Sequence, residues 1–296
     1  MRQHGALLAK RAAANNCDAL IVRTAKLYKA FPDLESTTAF KINVIEGTPS
    51  DAVATRKCLE DADVIMACIA TNESSRDMSI SYDTATAIVD ALKANRETQG
   101  SAYKCPTVIQ LRSASLNPTL SAAMPWIARK MAGFCFYYIY ADLDRACKLF
   151  ESSSANSPGL LNYIYIDPPS IHDANGTTPT GYKLILDEKQ EGALSYTDLG
   201  IAFCEVAERR DEFAGKGVGV TATGAQKQVG FKLILSPTYI AEMDSFSNVT
   251  ANSTGPDAFR PTAIPGLAAI LVPSNIQSPV KLSLTTLAVA LVSFLV

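Results

Sequence analysis

Short apolar runs alternate with segments of helical periodicity from the N-terminus to about residue 200. Each run is nearly continuous in apolar residues, which is typical of strands covered by helices on both faces. The strands predicted in this way are Ala19–Arg23, Ile42–Glu46, Val64–Ile69, Thr107–Leu111 and Tyr163–Ile166. Regular alternation with helical segments predicts βαβ units and a parallel sheet.

Helices are predicted between and after these strands from apolar residues at helical spacing. Asp51 is a candidate N-cap, because a short acidic side chain can accept the first free amides of a helix. The predicted helices are Arg2–Ala12, Ala52–Glu60, Tyr82–Leu92, Thr119–Met131, Leu143–Phe150 and Thr197–Arg209. Two further strands are predicted at Tyr182–Leu186 and Val218–Thr221.

The chain begins with a predicted helix, followed by a strand that ends at Arg23. In a dinucleotide-binding unit such a helix follows a strand and a glycine-rich turn, and Met1 stands about where that turn is expected. The predicted fold is α/β: a Rossmann-like doubly wound parallel sheet lacking the usual first strand and glycine loop. We expect this NAD(P)-binding domain to span 1–230, with a small substrate-side lobe at about 167–196.

Residues 231–296 are predicted to form a linker and a hydrophobic C-terminal tail. Asp244–Pro261 is rich in Ser, Asn, Thr, Gly and Pro, which favours a loop, whereas Leu282–Val296 carries no charge. That apolar stretch is short of the roughly 17–25 residues that span a bilayer. A packed helix, a disordered tail, a membrane anchor and an altered reading frame remain alternatives for it. Because Met1–Asn16 lacks the apolar core of a signal peptide, we expect a cytoplasmic protein, with membrane association through Leu282–Val296 left open.

Charge and composition narrow the classes of partner and site. Lys and Arg total 27 against 29 Asp and Glu, with no basic block, so no nucleic-acid partner is predicted. Seven scattered cysteines without a CxxC pair predict buried thiols in a reducing compartment. Only two histidines are present, and no metal site is predicted. The expected partner is a small-molecule substrate, and the sequence does not predict an oligomeric state.

Arg23 and Lys26 form the sharpest local signal for a cofactor. In dinucleotide folds an acid at the tip of this strand binds the ribose of NAD, whereas an Arg accommodates the 2′-phosphate of NADP. The pair therefore favours NADP(H) over NAD(H), and a solvated Arg at a strand end is the alternative.

Hydroxyl and small side chains follow two other predicted strands. Ser113 and Ser115 come after Thr107–Leu111 together with Arg112, and Ala70 and Thr71 follow the preceding strand. Ligands of open α/β sheets bind at this carboxyl edge. A serine here can orient a substrate carbonyl, Arg112 can hold an anion, and small residues let the backbone approach a cofactor; helix capping is the alternative for the serines.

Several short motifs in order resemble the atypical short-chain dehydrogenase/reductase family, in particular its NmrA-like NAD(P)-binding group with fungal averufin-oxidase-like members. The resemblance covers roughly residues 2–225. The motifs are Val22-Arg23-Thr24 with Lys26, Glu46-Gly47 with Asp51, Ala62–Ile65, Ser113-Ala114-Ser115, Asp142–Ala146, Pro168-Pro169 and Leu194–Leu199.

The resemblance implies a Rossmann fold with NADP(H) at the sheet edge and substrate over Ser113 and Ser115. Arg2-Gln3 matches the end of the family's GxxGxxG turn, so the resemblance implies that Gln3 binds the cofactor and that the chain is N-terminally truncated relative to the family. It also implies that Pro168 lines the nicotinamide pocket.

The tyrosines depart from one familiar catalytic arrangement. Tyr137, Tyr138 and Tyr140 are followed four residues later by Ala141, Asp142 and Asp144, not by the Lys that would lower a phenol pKa from about 10. Tyr138 is the candidate catalytic tyrosine beside Ser113 and Ser115, and packing of a helix by the aromatic cluster is the alternative. The predicted function is an NADP(H)-dependent oxidoreductase that reduces a small carbonyl or quinone-like compound. A non-catalytic NADP(H)-binding sensor and a truncated inactive family member are the alternatives.

Overall fold

The structure, a computed structural model, describes residues 17–21, 42–48, 51–71, 75–172, 181–190, 192, 194–224 and 293–295. The strands are β1 Cys17–Ile21, β2 Ile42–Glu46, β3 Val64–Ala67, β4 Ile69–Thr71, β5 Thr107–Leu111, β6 Asn162–Asp167, β7 Ile171–His172, β8 Tyr182–Ile185, β9 Leu194–Ser195, β10 Gly217–Ala222 and β11 Ser293–Leu295. The helices are α1 Ala52–Cys58, α2 Ile80–Gln99, α3 Trp126–Cys135, α4 Tyr137–Asn156, α5 Tyr196–Glu208 and α6 Arg210–Phe213.

The central sheet has five strands in the order β3-β5-β6-β10-β8. The first four are parallel, and β8 runs antiparallel to β10 at one edge. Strands β1 and β2 form a separate parallel pair. The predicted α/β class with a mainly parallel sheet is therefore confirmed.

Helices cover the central sheet on both faces, because successive residues of a strand point to opposite sides. Ile109 packs in a core with Phe203 of α5, whereas its neighbour Val108 packs with Phe150 of α4 and Leu92 of α2. The continuous apolar runs of the sequence follow from this burial on both faces.

One predicted helix is wrong in its bounds. The sequence predicts one continuous helix over Thr119–Met131, but the chain forms a short 3-10 helix at Leu120–Ala123 and then α3. Pro125 separates the two, because a proline disfavours helical backbone in the residue before it. Met124 is accordingly extended, with ψ of 132°.

The last described residues of the C-terminal tail form a strand. Ser293–Leu295 pairs in parallel with Ile69–Thr71, and the rest of Leu282–Val296 lies outside the described residues. Within the described residues, no helix combines the length and apolarity needed to cross a bilayer.

The structure describes the side chains of six of the seven cysteines, and all six are free thiols. Cys58, Cys68, Cys147 and Cys204 are buried as predicted, and burial raises the pKa of Cys68 and of Cys147 to about 12. The prediction of burial is wrong for Cys105, which is exposed because it lies in the loop before β5, and Cys135 is only partly buried.

The N-cap of α1 is as predicted and gives a test of the local structure. Asp51 accepts hydrogen bonds from the amides of Val53 and Ala54, each at 3.0 Å. Asp51→Ala leaves these amides without their acceptor, so we expect it to lower the free energy of unfolding by about 1 kcal/mol, measured by urea denaturation. Glu60→Ala, an exposed acid beyond the other end of α1, should change it by less than about 0.5 kcal/mol. Equal losses in the two variants would contradict the assignment.

Candidate active site

Two loops meet at the carboxyl edge of the sheet, where β5 and β6 end. The amide of Arg112 donates to the carbonyl of Ile166 at 2.8 Å, and the amide of Ala114 donates to the carbonyl of Pro168 at 3.1 Å. These two hydrogen bonds tie the loop that contains Ser113 to the loop that contains Pro168.

Ser113 and Tyr140 form a hydroxyl pair at this edge. Ser113 Oγ lies 3.4 Å from Tyr140 Oη, and either hydroxyl can be the donor. Ser113 Oγ also accepts a hydrogen bond from the amide of Ser115 at 3.3 Å, at the start of a 3-10 helix over Ala114–Leu116. The pair can thus place two hydroxyl groups on one substrate oxygen.

Tyr140 lies in the first turn of α4 and is half-buried. Its ring centroid is 5.7 Å from that of Phe136, in a tilted arrangement. Tyr138, the tyrosine that the sequence favoured, packs edge-to-face on Tyr137 at 5.3 Å. The described contacts bring Tyr140 to Ser113, and the catalytic role of Tyr138 stays a prediction.

The position four residues after Tyr140 holds an acid that has its own partner. Asp144 accepts a 2.6 Å hydrogen bond from Lys148 Nζ on the exposed side of α4. No cation therefore approaches Tyr140 from that position of the helix.

Arg112 makes a bidentate ion pair with Asp167, the last residue of β6. Its Nε and Nη2 donate to the two carboxylate oxygens at 2.7 and 2.6 Å. Burial lowers the pKa of Arg112, but the hydrogen bonds and charge of Asp167 outweigh burial and leave that pKa raised. The anion that Arg112 holds in this structure is the chain's own carboxylate.

Gln190 reaches the same region from the segment after β8. Its Nε2 donates to the carbonyls of Asp167 and Val220, each at 2.8 Å. Since both partners are acceptors, the orientation of the amide is fixed and Oε1 faces away from them. Among the described residues this Oε1 is the one buried side-chain polar atom without a hydrogen-bond partner.

The other predicted site residues fall into two groups. Gln3, Arg23 and Lys26 lie outside the described residues. Ala70 and Thr71 belong to β4, which follows β3 towards the carboxyl edge, and the buried Pro168 follows β6. The structure thus brings Ser113, Ser115 and Pro168 together, and their roles stay predictions.

Comparison with known proteins identifies the family. Averufin oxidase A of Aspergillus flavus is 46% identical over 210 residues, which cover 71% of this chain and 74% of that protein. The chain belongs to the averufin oxidase family. Averufin oxidase A of Dothistroma septosporum is 48% identical over 208 residues, covering 69% of this chain and 72% of that protein. No protein-family model matches the chain.

Solved structures agree with the fold of this averufin oxidase family member. A short-chain dehydrogenase/reductase from Veillonella parvula superposes with a TM-score of 0.51 at 16% identity, covering 76% of this chain and 92% of that one. A structure of a short-chain dehydrogenase/reductase from the same organism in complex with NADP gives 0.50 at 17% identity, covering 72% and 97%. The chain is thus an oxidoreductase of the averufin oxidase family with a short-chain dehydrogenase/reductase fold.

Proposed function

We propose that this protein is an NADP(H)-dependent reductase of a small carbonyl or quinone-like compound. The observation that carries the proposal is the Ser113–Tyr140 hydroxyl pair at the carboxyl edge of the parallel sheet. Ligands of open α/β sheets bind at this edge, and the family consists of oxidoreductases. The NmrA-like grouping and a cytoplasmic location remain part of the proposal.

The hydrogen-bond donors at the carboxyl edge of the sheet fit a site at which a nicotinamide ring meets its substrate. Ser113, Ser115 and Tyr140 offer hydroxyl donors to an oxygen, and the buried Pro168 offers an apolar wall. Bound NADPH supplies the hydride. Arg23 and Lys26 would hold the 2′-phosphate and Gln3 the pyrophosphate, while the backbone at Ala70 and Thr71 would lie along the cofactor. The cofactor bound to the Veillonella parvula relative is NADP, which supports this choice.

The residues of the pair have distinct tasks in the proposed reduction. Tyr140 Oη donates the proton that the substrate oxygen gains as the carbonyl carbon is reduced, and solvent then restores that proton. Ser113 Oγ donates a hydrogen bond to the same oxygen and stabilises the negative charge that develops there. The amide of Ser115 occupies a lone pair of Ser113 Oγ, so the Ser113 proton remains available for donation to a substrate oxygen.

Aromatic rings beside the pair support a planar, quinone-like substrate. The rings of Phe136 and Tyr140 are tilted against each other with centroids 5.7 Å apart beside the hydroxyl pair, and Tyr137 at the start of α4 is partly exposed. Stacked aromatic contacts favour flat conjugated rings.

A second function, a non-catalytic NADP(H) sensor, is favoured by one observation. Asp144 occupies the position at which a Lys would lower the pKa of Tyr140, and it pairs with Lys148. A sensor would bind NADPH without oxidising it in the presence of an acceptor, so turnover separates the two functions.

Cofactor choice is tested by fluorescence titration of NADPH and NADH into the purified chain. We expect NADPH to bind more tightly, and Arg23→Ala to weaken NADPH about tenfold while leaving NADH unchanged, because one charge-assisted contact to phosphate is lost. Arg209→Ala, which removes an arginine paired with Glu205 and Glu212 far along the chain, is the matched control. Failure of the folded chain to bind NADPH would refute the proposed function, and equal affinities for the two nucleotides would refute the preference for NADP(H).

A further inference from the structure

We propose that the Arg112–Asp167 ion pair is a positioning device that holds Ser113 in its reactive place. The inference rests on the proposed function, because it assigns these residues a task in the same site. Neither residue touches the reacting atoms in this assignment; each acts through its neighbour in the chain.

The pair joins the ends of two adjacent strands directly before the site residues. Arg112 precedes Ser113, and Asp167 precedes Pro168, so each charged group lies one residue from a proposed site residue. The side chain of Asp167 is 0% exposed and that of Arg112 is 15% exposed. A guanidinium and a carboxylate that share two parallel hydrogen bonds fix distance and orientation together.

Neighbouring groups hold the side chains of Arg112 and Asp167 in their paired arrangement. The guanidinium stacks over the Tyr165 ring with its central carbon 4.4 Å from the centroid, and Asn117 Nδ2 donates to Asp167 Oδ2 at 3.4 Å. A Cβ at position 217 would lie only 2.6 Å from Arg112 Nη2, so Gly217 is what lets β10 pass this close. The carbonyl of Asp167 is held as well, by Gln190 Nε2.

A contribution to the free energy of folding does not by itself account for a buried ion pair. Desolvation offsets much of the attraction of a buried ion pair, and well-packed apolar residues of similar volume often stabilise a protein as well or better. What apolar residues cannot supply is a directional link between two loops. A reacting group that is misplaced by about 1 Å can lose about 100-fold in rate, and the link determines the place of Ser113.

The test replaces the pair by apolar residues of similar size, Arg112→Met with Asp167→Leu, so that no charge is left buried without a partner. We expect this double variant to unfold at nearly the wild-type urea concentration. Hydrogen exchange at the backbone amides of positions 112 and 114, which bridge the two loops, should become about tenfold faster than in the wild-type protein. In NADPH-dependent reduction of menadione, kcat should fall about 10- to 100-fold, whereas KM and the Kd for NADPH should stay nearly constant.

Arg112→Lys separates position from charge. A Lys keeps the positive charge beside Asp167 but cannot form the two-pronged contact. We therefore expect it to retain stability without restoring kcat. Arg209→Met, which breaks an exposed ion-pair cluster at the end of α5, should leave both kcat and the exchange of the two amides unchanged.

Two results would overturn the positioning role: wild-type exchange rates at the amides of positions 112 and 114 in the double variant, or wild-type kcat in Arg112→Lys. If the wild-type protein does not reduce menadione, the exchange measurement decides alone, since it requires no turnover. Unchanged exchange would then refute the positioning role, whereas failure to bind NADPH would refute the proposed function separately.

Discussion

Tyr140→Phe is expected to lower kcat for NADPH-dependent reduction of menadione by about 100- to 10,000-fold, the range for loss of a general acid. The substitution removes one oxygen, the Oη that lies 3.4 Å from Ser113 Oγ. The ring can keep its packing against Phe136, so we expect the Kd for NADPH and the free energy of unfolding to change little. Steady-state kinetics, with NADPH consumption as the signal, checks the result.

Tyr138→Phe is the matched control for this prediction. It removes the corresponding phenol oxygen from another position of the same helix. We expect kcat to stay within about threefold of the wild-type value, because in the proposed reaction Tyr138 contacts no reacting atom. A large loss in Tyr138→Phe with none in Tyr140→Phe would reverse the assignment and restore the tyrosine that the sequence favoured. Wild-type binding of NADPH without turnover of menadione or of other quinone and carbonyl acceptors would favour the sensor.

Much of the central sheet could be predicted because burial on both faces leaves a direct trace in the sequence. The run at Thr107–Leu111 matches strand β5 of this sheet residue for residue, and the run at Ile42–Glu46 matches β2 of the separate pair. The direction of β8 could not be predicted, since an apolar run is the same whichever way a strand is paired. The break between Leu120–Ala123 and α3 had a signal in Pro125 that the helical periodicity concealed.

In the candidate site, too, one residue could be predicted from the sequence and another could not. Ser113 could be found from its place directly after a central strand, but helical periodicity could not choose between the tyrosines. Tyr140 aligns with the buried Leu143 and Cys147, whereas Tyr138 aligns with the equally buried Asp142 and Ala146. Which buried face of α4 meets Ser113 depends on tertiary packing.

The ion-pair partner of Arg112 could not be predicted from the sequence either. Arg112 and Asp167 are 55 residues apart, and they meet only because β5 and β6 are neighbours in register. A guanidinium at a strand end is compatible with a ligand or with an internal carboxylate, and the choice depends on what the next strand presents.

Asp142 belongs to a motif that carried the family resemblance, and the structure gives it a task in the fold. Its carboxylate is 1% exposed and accepts hydrogen bonds from the amides of Ser81 and Tyr82, at 2.7 and 3.3 Å, at the start of α2. Arg145 Nη2 donates to it at 2.9 Å. Ser79, the N-cap residue of α2, makes no capping contact with its own side chain. Asp142 therefore caps α2 from α4.

We expect Asp142→Ala to lower the free energy of unfolding by about 2–4 kcal/mol, measured by urea denaturation. A lost helix cap costs about 1–2 kcal/mol, and hydrogen bonds to a charged group are worth about 1.5–3 kcal/mol. The total stays below the sum because the half-exposed Arg145 can turn to water when its partner is removed. Asp142→Asn keeps an acceptor oxygen and should lose about half as much, which preserves the test if the Ala variant does not fold.

Asp83→Ala is the comparison for this prediction. It shows whether the loss of stability comes from the missing cap or from any loss of negative charge at the start of α2. Asp83 lies in the same first turn, is exposed and accepts a 2.6 Å hydrogen bond from Ser79 Oγ. Its interaction with the helix dipole is worth under about 1 kcal/mol. If Asp83→Ala destabilised the protein as much as Asp142→Ala, the charge of the first turn and not the buried carboxylate of α4 would hold α2, and the motif would need another explanation. A clear excess for Asp142 would instead assign the acid of the Asp142–Ala146 motif to holding α2 in the fold.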